Sequence, residues 1–220
     1  MSGIITAIEP QKKHRDRVNV YLDGSFAFGL SSVVAAWLHT GQNLTDEKIA
    51  SLQKQEEIES AYQRALHFLS YRPRSIREVR DRLTTAGFES HIIDEVLKRL
   101  EEKGYIGDLQ FARQWIENRA AFRPRSHRAL MYELRQKGLD EEVITDALAS
   151  APDEEYQARQ AAEKYQRRLQ VLERNAFFNR LGGYLSRLGF SYSIIKPLVQ
   201  ETWLRLHPED TTEIIGNTEE

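Results

Sequence analysis

YRPRSIREVRDRLTTAGF occupies Tyr71–Phe88, and 51 residues later FRPRSHRALMYELRQKGL occupies Phe122–Leu139. In the first copy Ser75 is a good helix N-cap. Glu78, three residues on, completes a capping box, and Pro73 just outside stops the preceding helix. At the far end, Leu83-x-x-x-Gly87-Phe88 reads as a C-terminal cap, in which a left-handed glycine lets the next apolar residue fold back on the leucine one turn earlier. Ser126 keeps the cap in the second copy, while Ala129 leaves the box incomplete. A further shift of 51 reaches Leu185, Gly189 and Phe190, with Asn175-Ala176-Phe177 in place of the pentamer. The spacing predicts middle helices over Ser75–Ala86, Ser126–Lys137 and Ala176–Leu188.

Outward from these helices the register continues. Ile92, Ile93 and Leu97 fall on Val143, Ile144 and Leu148, and then on Ile194, Ile195 and Val199. These residues mark third helices that start near Ser90, Asp140 and Ser191. First helices precede them over Glu57–Ser70, Leu109–Ala121 and Glu154–Glu173, with apolar residues at helical spacing. The fold expected is mainly α, a tandem array of three three-helix repeats with a period of 51 residues. Three short helices bury little alone, so stacking of neighbours is expected to close the core. The repeats are placed at residues 56–106, 107–152 and 153–206, with an acidic, disordered tail at 207–220.

Residues 1–55 read differently, as a β leader with short helices. Gly3–Ile8, Arg17–Leu22 and Phe26–Leu30 are β-rich, and Asp23-Gly24 suits a two-residue hairpin turn. That gives a small segment of three strands. Ser31–His39 and the stretch Thr45-Asp46-Glu47-Lys48 with Ile49–Leu52 read as short helical pieces.

The totals exclude several classes. With no cysteine among 220 residues there is no disulfide and no thiol catalysis, which suits a reducing cytoplasm. No window nears the ~18 uninterrupted apolar residues of a membrane span, and the start lacks the pattern of a secretion signal. The six histidines show no paired ligand spacing, no phosphate loop appears, and the carboxylates are scattered. Neither an enzyme nor a cofactor is expected. The aromatic residues Tyr62, Phe68, Tyr105, Phe111, Trp115, Tyr165 and Trp203 fall at core spacing.

Charge is the remaining signal. The whole chain carries −2, yet Arg64–Arg82 holds six arginines against two acids, and Arg113–Lys137 and Arg159–Arg187 each hold seven basic residues against two. Such segregation predicts a basic edge on each repeat, suited to phosphate or an acidic protein groove. The residues expected on it are Arg72, Arg74, Arg77, Arg80, Arg123, Arg125, Arg128, Arg135, Lys137, Arg167, Arg168, Arg174 and Arg180.

Ala65-Leu66-x-x-Leu69, then Arg72-x-Arg74-Ser75-x-x-Glu78-Val79-x-x-x-Leu83-x-x-x-Gly87, resembles the RecX family of regulatory proteins. So does Gly104-Tyr105-Ile106-x-Asp108-x-x-Phe111-Ala112-x-x-Trp115, followed by Glu133-Leu134-x-x-x-Gly138-Leu139. The resemblance spans about residues 57–206, and the N-terminal strands are similar to the β leader of some members. It implies tandem three-helix units without enzymatic activity; a monomer in the cytoplasm is expected. The implied partner is the RecA recombinase, bound in the groove of its filament on DNA, with inhibition of ATP hydrolysis and strand exchange. Weak binding of single- or double-stranded DNA is compatible with this. The alternative reading is a stand-alone helical DNA-binding module, since stacked three-helix units resemble helix-turn-helix domains.

Overall fold

The computed structural model describes residues 2–210. The chain divides into two compact units between Gly107 and Asp108. In the first, strands β1 (Gly3–Pro10), β2 (Arg17–Leu22), β3 (Ser25–Ser31) and β4 (Asn43–Leu44) form an antiparallel sheet in the order β3-β2-β1-β4. Asp23 and Gly24 turn with φ of 48° and 84°, both positive as the two-residue hairpin requires. The expected three strands become four because Asn43–Leu44 pairs with Gly3–Ile4. Two residues are too few to show alternation in a sequence. Val34–Trp37 is a single 3-10 turn. One sheet face supplies Ile5, Val20, Leu22, Leu30 and Leu44 to a buried cluster.

Helix α1 runs unbroken over Asp46–Leu69, where the sequence suggested a short piece and then a separate helix from Glu57. No glycine or proline interrupts these residues, and Thr45 Oγ1 caps the start by accepting the Lys48 N–H at 3.2 Å. The helix is ~36 Å long and belongs to two cores. Ile49 and Leu52 pack under the sheet, while Ala61, Tyr62 and Ala65 enter the core of the first repeat. A division at residues 55/56 therefore falls inside one rigid element. Glu56 ties the junction, accepting the Ser31 N–H at 2.5 Å and pairing with Arg17 at 2.6 Å.

Helices α2 (Ile76–Thr85) and α3 (Ser90–Glu102) complete the first repeat. The second unit holds α4 (Asp108–Phe122), α5 (His127–Gln136), α6 (Glu141–Ala149), α7 (Glu154–Gln166), α8 (Arg174–Arg187) and α9 (Tyr192–Leu206). The C-terminal caps recur as the spacing predicts. Phe88 N–H donates to Leu83 O, Leu139 N–H to Leu134 O, and Phe190 N–H to Leu185 O, each at 3.3 Å. The intervening glycines have φ of 91°, 82° and 96°. At the other end Ser75 and Glu78 form the reciprocal capping box, and Ser126 caps α5 alone.

The buried residues of the helices fall into separate clusters. Each repeat gathers its own buried cluster, built around Leu83, Leu134 or Leu185 of its middle helix. Small residues of the first helix and branched residues of the third close over that leucine, as with Ala65, Ile92, Ile93 and Val96 in the first repeat. Helix α7 ends earlier than expected, at Gln166, and leads into tight turns. Leu169 N–H bonds to Gln166 O at 2.8 Å and Leu172 N–H to Leu169 O at 3.0 Å. Turning there buries Leu169 in the third core.

Two expectations need correction. Tyr105 is 56% exposed and is not a core residue. The tail assigned from His207 starts ordered, because His207 stacks on Trp203 with 3.7 Å between ring centroids and Trp203 Nε1 donates to Asp210 at 2.6 Å. The rest of that tail, 211–220, lies outside the described residues.

Candidate functional site

The pentamers place two arginines around each N-cap serine, and their surroundings differ. In the first repeat Arg72 is held by Glu78 through contacts of 2.9 and 3.1 Å and also donates to Pro73 O. The acid that completes the capping box thus also neutralises the first pentamer arginine. The Arg74 guanidinium lies over the Phe68 ring, its Cζ 3.9 Å from the ring centroid, with its Nε buried and unpaired. Burial pulls its guanidinium below the ordinary arginine range, with neighbouring Arg72 adding to this and Glu78 opposing it. Further along α2, Arg80 pairs with Asp94 at 2.7 Å, while Arg77 is exposed and only 3.9 Å from exposed Asp81.

In the second repeat Ala129 stands where Glu78 stood, and Arg123 is exposed with no side-chain partner among the described residues. Arg125 turns inward. Its Nη1 reaches Arg187 O at 3.5 Å and its Nε lies 3.5 Å from Glu133. Glu133 also accepts from Arg119 at 2.7 Å and from Trp115 Nε1 at 2.8 Å. Arg119 and Lys137 lie over the Trp115 ring, at 4.6 and 5.2 Å from its centroid. Arg128 is exposed and without a side-chain partner among the described residues, whereas Arg135 pairs with Glu141 at 2.5 Å.

In the third repeat Arg174, one period beyond Arg123, lies 5.7 Å from the Phe178 ring centroid. Arg167, Arg168 and Arg180 are exposed and without side-chain partners among the described residues. The thirteen expected positions therefore separate into two kinds. Arg72, Arg74, Arg80, Arg125, Arg135, Lys137 and Arg174 are engaged within the molecule. Arg77, held only loosely, and Arg123, Arg128, Arg167, Arg168 and Arg180 keep guanidinium groups available to a partner.

Sequence reasoning did not find the groups that hold the first set. Phe68 and Arg119 stand 51 residues apart, as do Arg82 and Glu133, so the same two positions carry an aromatic and a cation in one repeat and a cation and an acid in the next. A swap across the repeat register is a signal, but only contact geometry gives it meaning. The first pentamer residue was also underread. Tyr71 is 69% exposed and Phe122 is 73% exposed, so each of the first two repeats presents an aromatic ring to solvent beside its first arginine. Tyr71 is braced by His67, with 3.1 Å between its hydroxyl and Nε2.

Within the second unit the repeats meet at the N-cap of α5. Ser126 N–H donates to Leu188 O at 3.2 Å, and the Gly189 turn lies so close that a β-carbon there would overlap Ser126 Oγ and stand 3.0 Å from Ala129 Cβ. Lys164 Nζ adds a bond to Ala121 O at 3.1 Å.

Comparison with known proteins matches three family models in order: the RecX N-terminal domain over residues 3–45, the first RecX three-helix domain over 61–100 and the second over 108–148. Regulatory protein RecX of Bacillus subtilis (strain 168) is 34% identical over 202 residues, 90% of this chain and 76% of that protein. Regulatory protein RecX of Oceanobacillus iheyensis is 32% identical over 219 residues, 95% of this chain and 78% of that one. A crystal structure of regulatory protein RecX superposes with a TM-score of 0.70 at 27% identity, covering 90% of this chain and 98% of the other. RecX from Lactobacillus salivarius gives 0.59 at 27% identity over 68% of this chain and 99% of that chain. Sequence match across leader and helical repeats, together with the shared fold, shows that this chain belongs to the RecX family of regulatory proteins.

Proposed function

We propose that this RecX-family chain is a non-enzymatic regulator that binds the RecA recombinase on DNA and inhibits its ATP hydrolysis and strand exchange. Family membership supports the regulatory role, and the solvent-facing set Phe122, Arg123 and Arg128 supports the mode. An exposed phenylalanine beside two unpartnered arginines combines residue types that are enriched at the cores of protein interfaces. Guanidinium groups repeated along the α5, α7 and α8 regions add weaker contacts to an acidic partner, and joining them in one chain multiplies their effect.

The test is RecA-catalysed ATP hydrolysis on single-stranded DNA with this protein at substoichiometric ratio. Wild type suppresses hydrolysis. Phe122→Ser with Arg123→Glu requires about tenfold more protein for the same effect, since a hot-spot pair contributes at least ~1.4 kcal/mol. Suppression weakens as salt rises. Unaltered hydrolysis with wild type present sinks the regulatory reading. Tight, sequence-specific DNA binding without RecA would favour the stand-alone module instead.

A further inference from the structure

We propose that the tip of the β1–β2 hairpin, Gln11–Asp16, is a nucleic-acid backbone contact, with Lys12, Lys13 and Arg15 as its phosphate-binding cations. The inference goes beyond RecA regulation and rests on the first unit alone.

Elsewhere in that unit four arginines are neutralised: Arg17 by Glu56, Arg72 by Glu78, Arg80 by Asp94 and Arg99 by Glu59. Lys12, Lys13 and Arg15 are exposed and have no ion pair or side-chain hydrogen bond among the described residues. Asp16 is the only acid in the tip. The cations stand on a fixed base. Gln11 N–H donates to Arg17 O at 2.9 Å, Arg17 N–H to His14 O at 3.0 Å, and Ser32 N–H to Asp16 O at 2.7 Å. The Arg17–Glu56 pair then fastens the hairpin to α1.

The partner follows from what the tip presents. Gln11-Lys12-Lys13-His14-Arg15-Asp16 has no apolar side chain to enter a bilayer or an apolar protein pocket, and no Phe, Tyr or Trp ring, the His14 imidazole being its one ring. What remains is positive charge on long, adaptable stems. This suits phosphates, which position a protein without reading sequence. A two-stranded ribbon also has the width to enter a duplex major groove.

The experiment measures fluorescence anisotropy of labelled oligo(dT) against salt concentration with full-length protein and no RecA. Loss of three phosphate contacts in Lys12→Ala/Lys13→Ala/Arg15→Ala lowers the slope of log affinity against log salt by about 2 for a single strand. Affinity at low salt falls at least tenfold, with an unchanged melting temperature because the fixing bonds are backbone bonds. A control of equal charge, Lys54→Ala/Lys98→Ala/Lys103→Ala, keeps the wild-type slope. Three results would overturn the proposal: a hairpin variant with the wild-type slope, a control that loses as much, or a loss seen only with phosphatidylglycerol vesicles. RecA ATP hydrolysis is absent from this assay, so its failure leaves the regulatory reading intact, and the reverse also holds.

Discussion

The first and second repeats carry the same pentamer and the same cap leucine-glycine spacing, yet they treat their arginines in opposite ways. In the first, Glu78 serves both the capping box and Arg72, and Phe68 takes Arg74 on its face. In the second, Ala129 leaves Arg123 alone, and Glu133 gathers Arg119, Arg125 and Trp115. The local backbone is nearly a copy; the electrostatics are not. The third repeat's Gly189 turn lies against this cap, so close that a β-carbon on Gly189 would overlap Ser126 Oγ and stand 3.0 Å from Ala129 Cβ, and a larger side chain at 129 would crowd it. With alanine at the box position, Arg123 lacks the acid that holds Arg72 and is left free for a partner.

The largest expected effect separates two glycines of one motif. Gly87 has open space where its β-carbon would be, so Gly87→Ala costs only the left-handed backbone penalty, about 1–2 kcal/mol. Gly189→Ala adds overlap with Ser126 Oγ and Ala129 and costs about 2–5 kcal/mol in urea unfolding. Equal losses at the two sites would break the claim that docking at Ser126 distinguishes them.

Next comes an exchange at the box position. Glu78→Ala removes a cap bond and the partner of Arg72, and lowers unfolding free energy by ~1 kcal/mol. Ala129→Glu gives α5 the box residue it lacks, and from sequence alone should stabilise. With Gly189 packed against that methyl group it destabilises by ~1–3 kcal/mol instead. A stabilised Ala129→Glu protein would refute the steric account.

Arg74→Lys sharpens the contrast at smaller scale. A lysine has no guanidinium to lay over Phe68, so the change costs ~0.5–1 kcal/mol despite unchanged charge. Smallest is Arg123→Lys, which touches no neighbouring side chain and leaves stability within ~0.5 kcal/mol of wild type. A thermal melt that ranks these two in the reverse order would show that Arg123 has a hidden partner.

Much of the helical part was legible in the chain. Caps are local: a serine, a glutamate three residues on, and a leucine and glycine four apart decide where a helix starts and stops, whatever surrounds it. The 51-residue register then repeats that decision, and the middle helices form close to where it puts them. Asp23-Gly24 fixed its turn for the same local reason. Other features depended on distant residues. Asn43–Leu44 is a strand only because Gly3–Ile4 lies beside it. Helix α1 runs through residue 56 because two separate cores take its two halves, and Tyr105 is exposed although its spacing suits burial. Which arginines are held was settled by Phe68 and Glu133, groups that meet them only on folding. Backbone hydrogen bonds of a cap span a few residues and can be read from them. The partner of a long cationic side chain is whatever the fold brings within its reach, and only tertiary structure decides that.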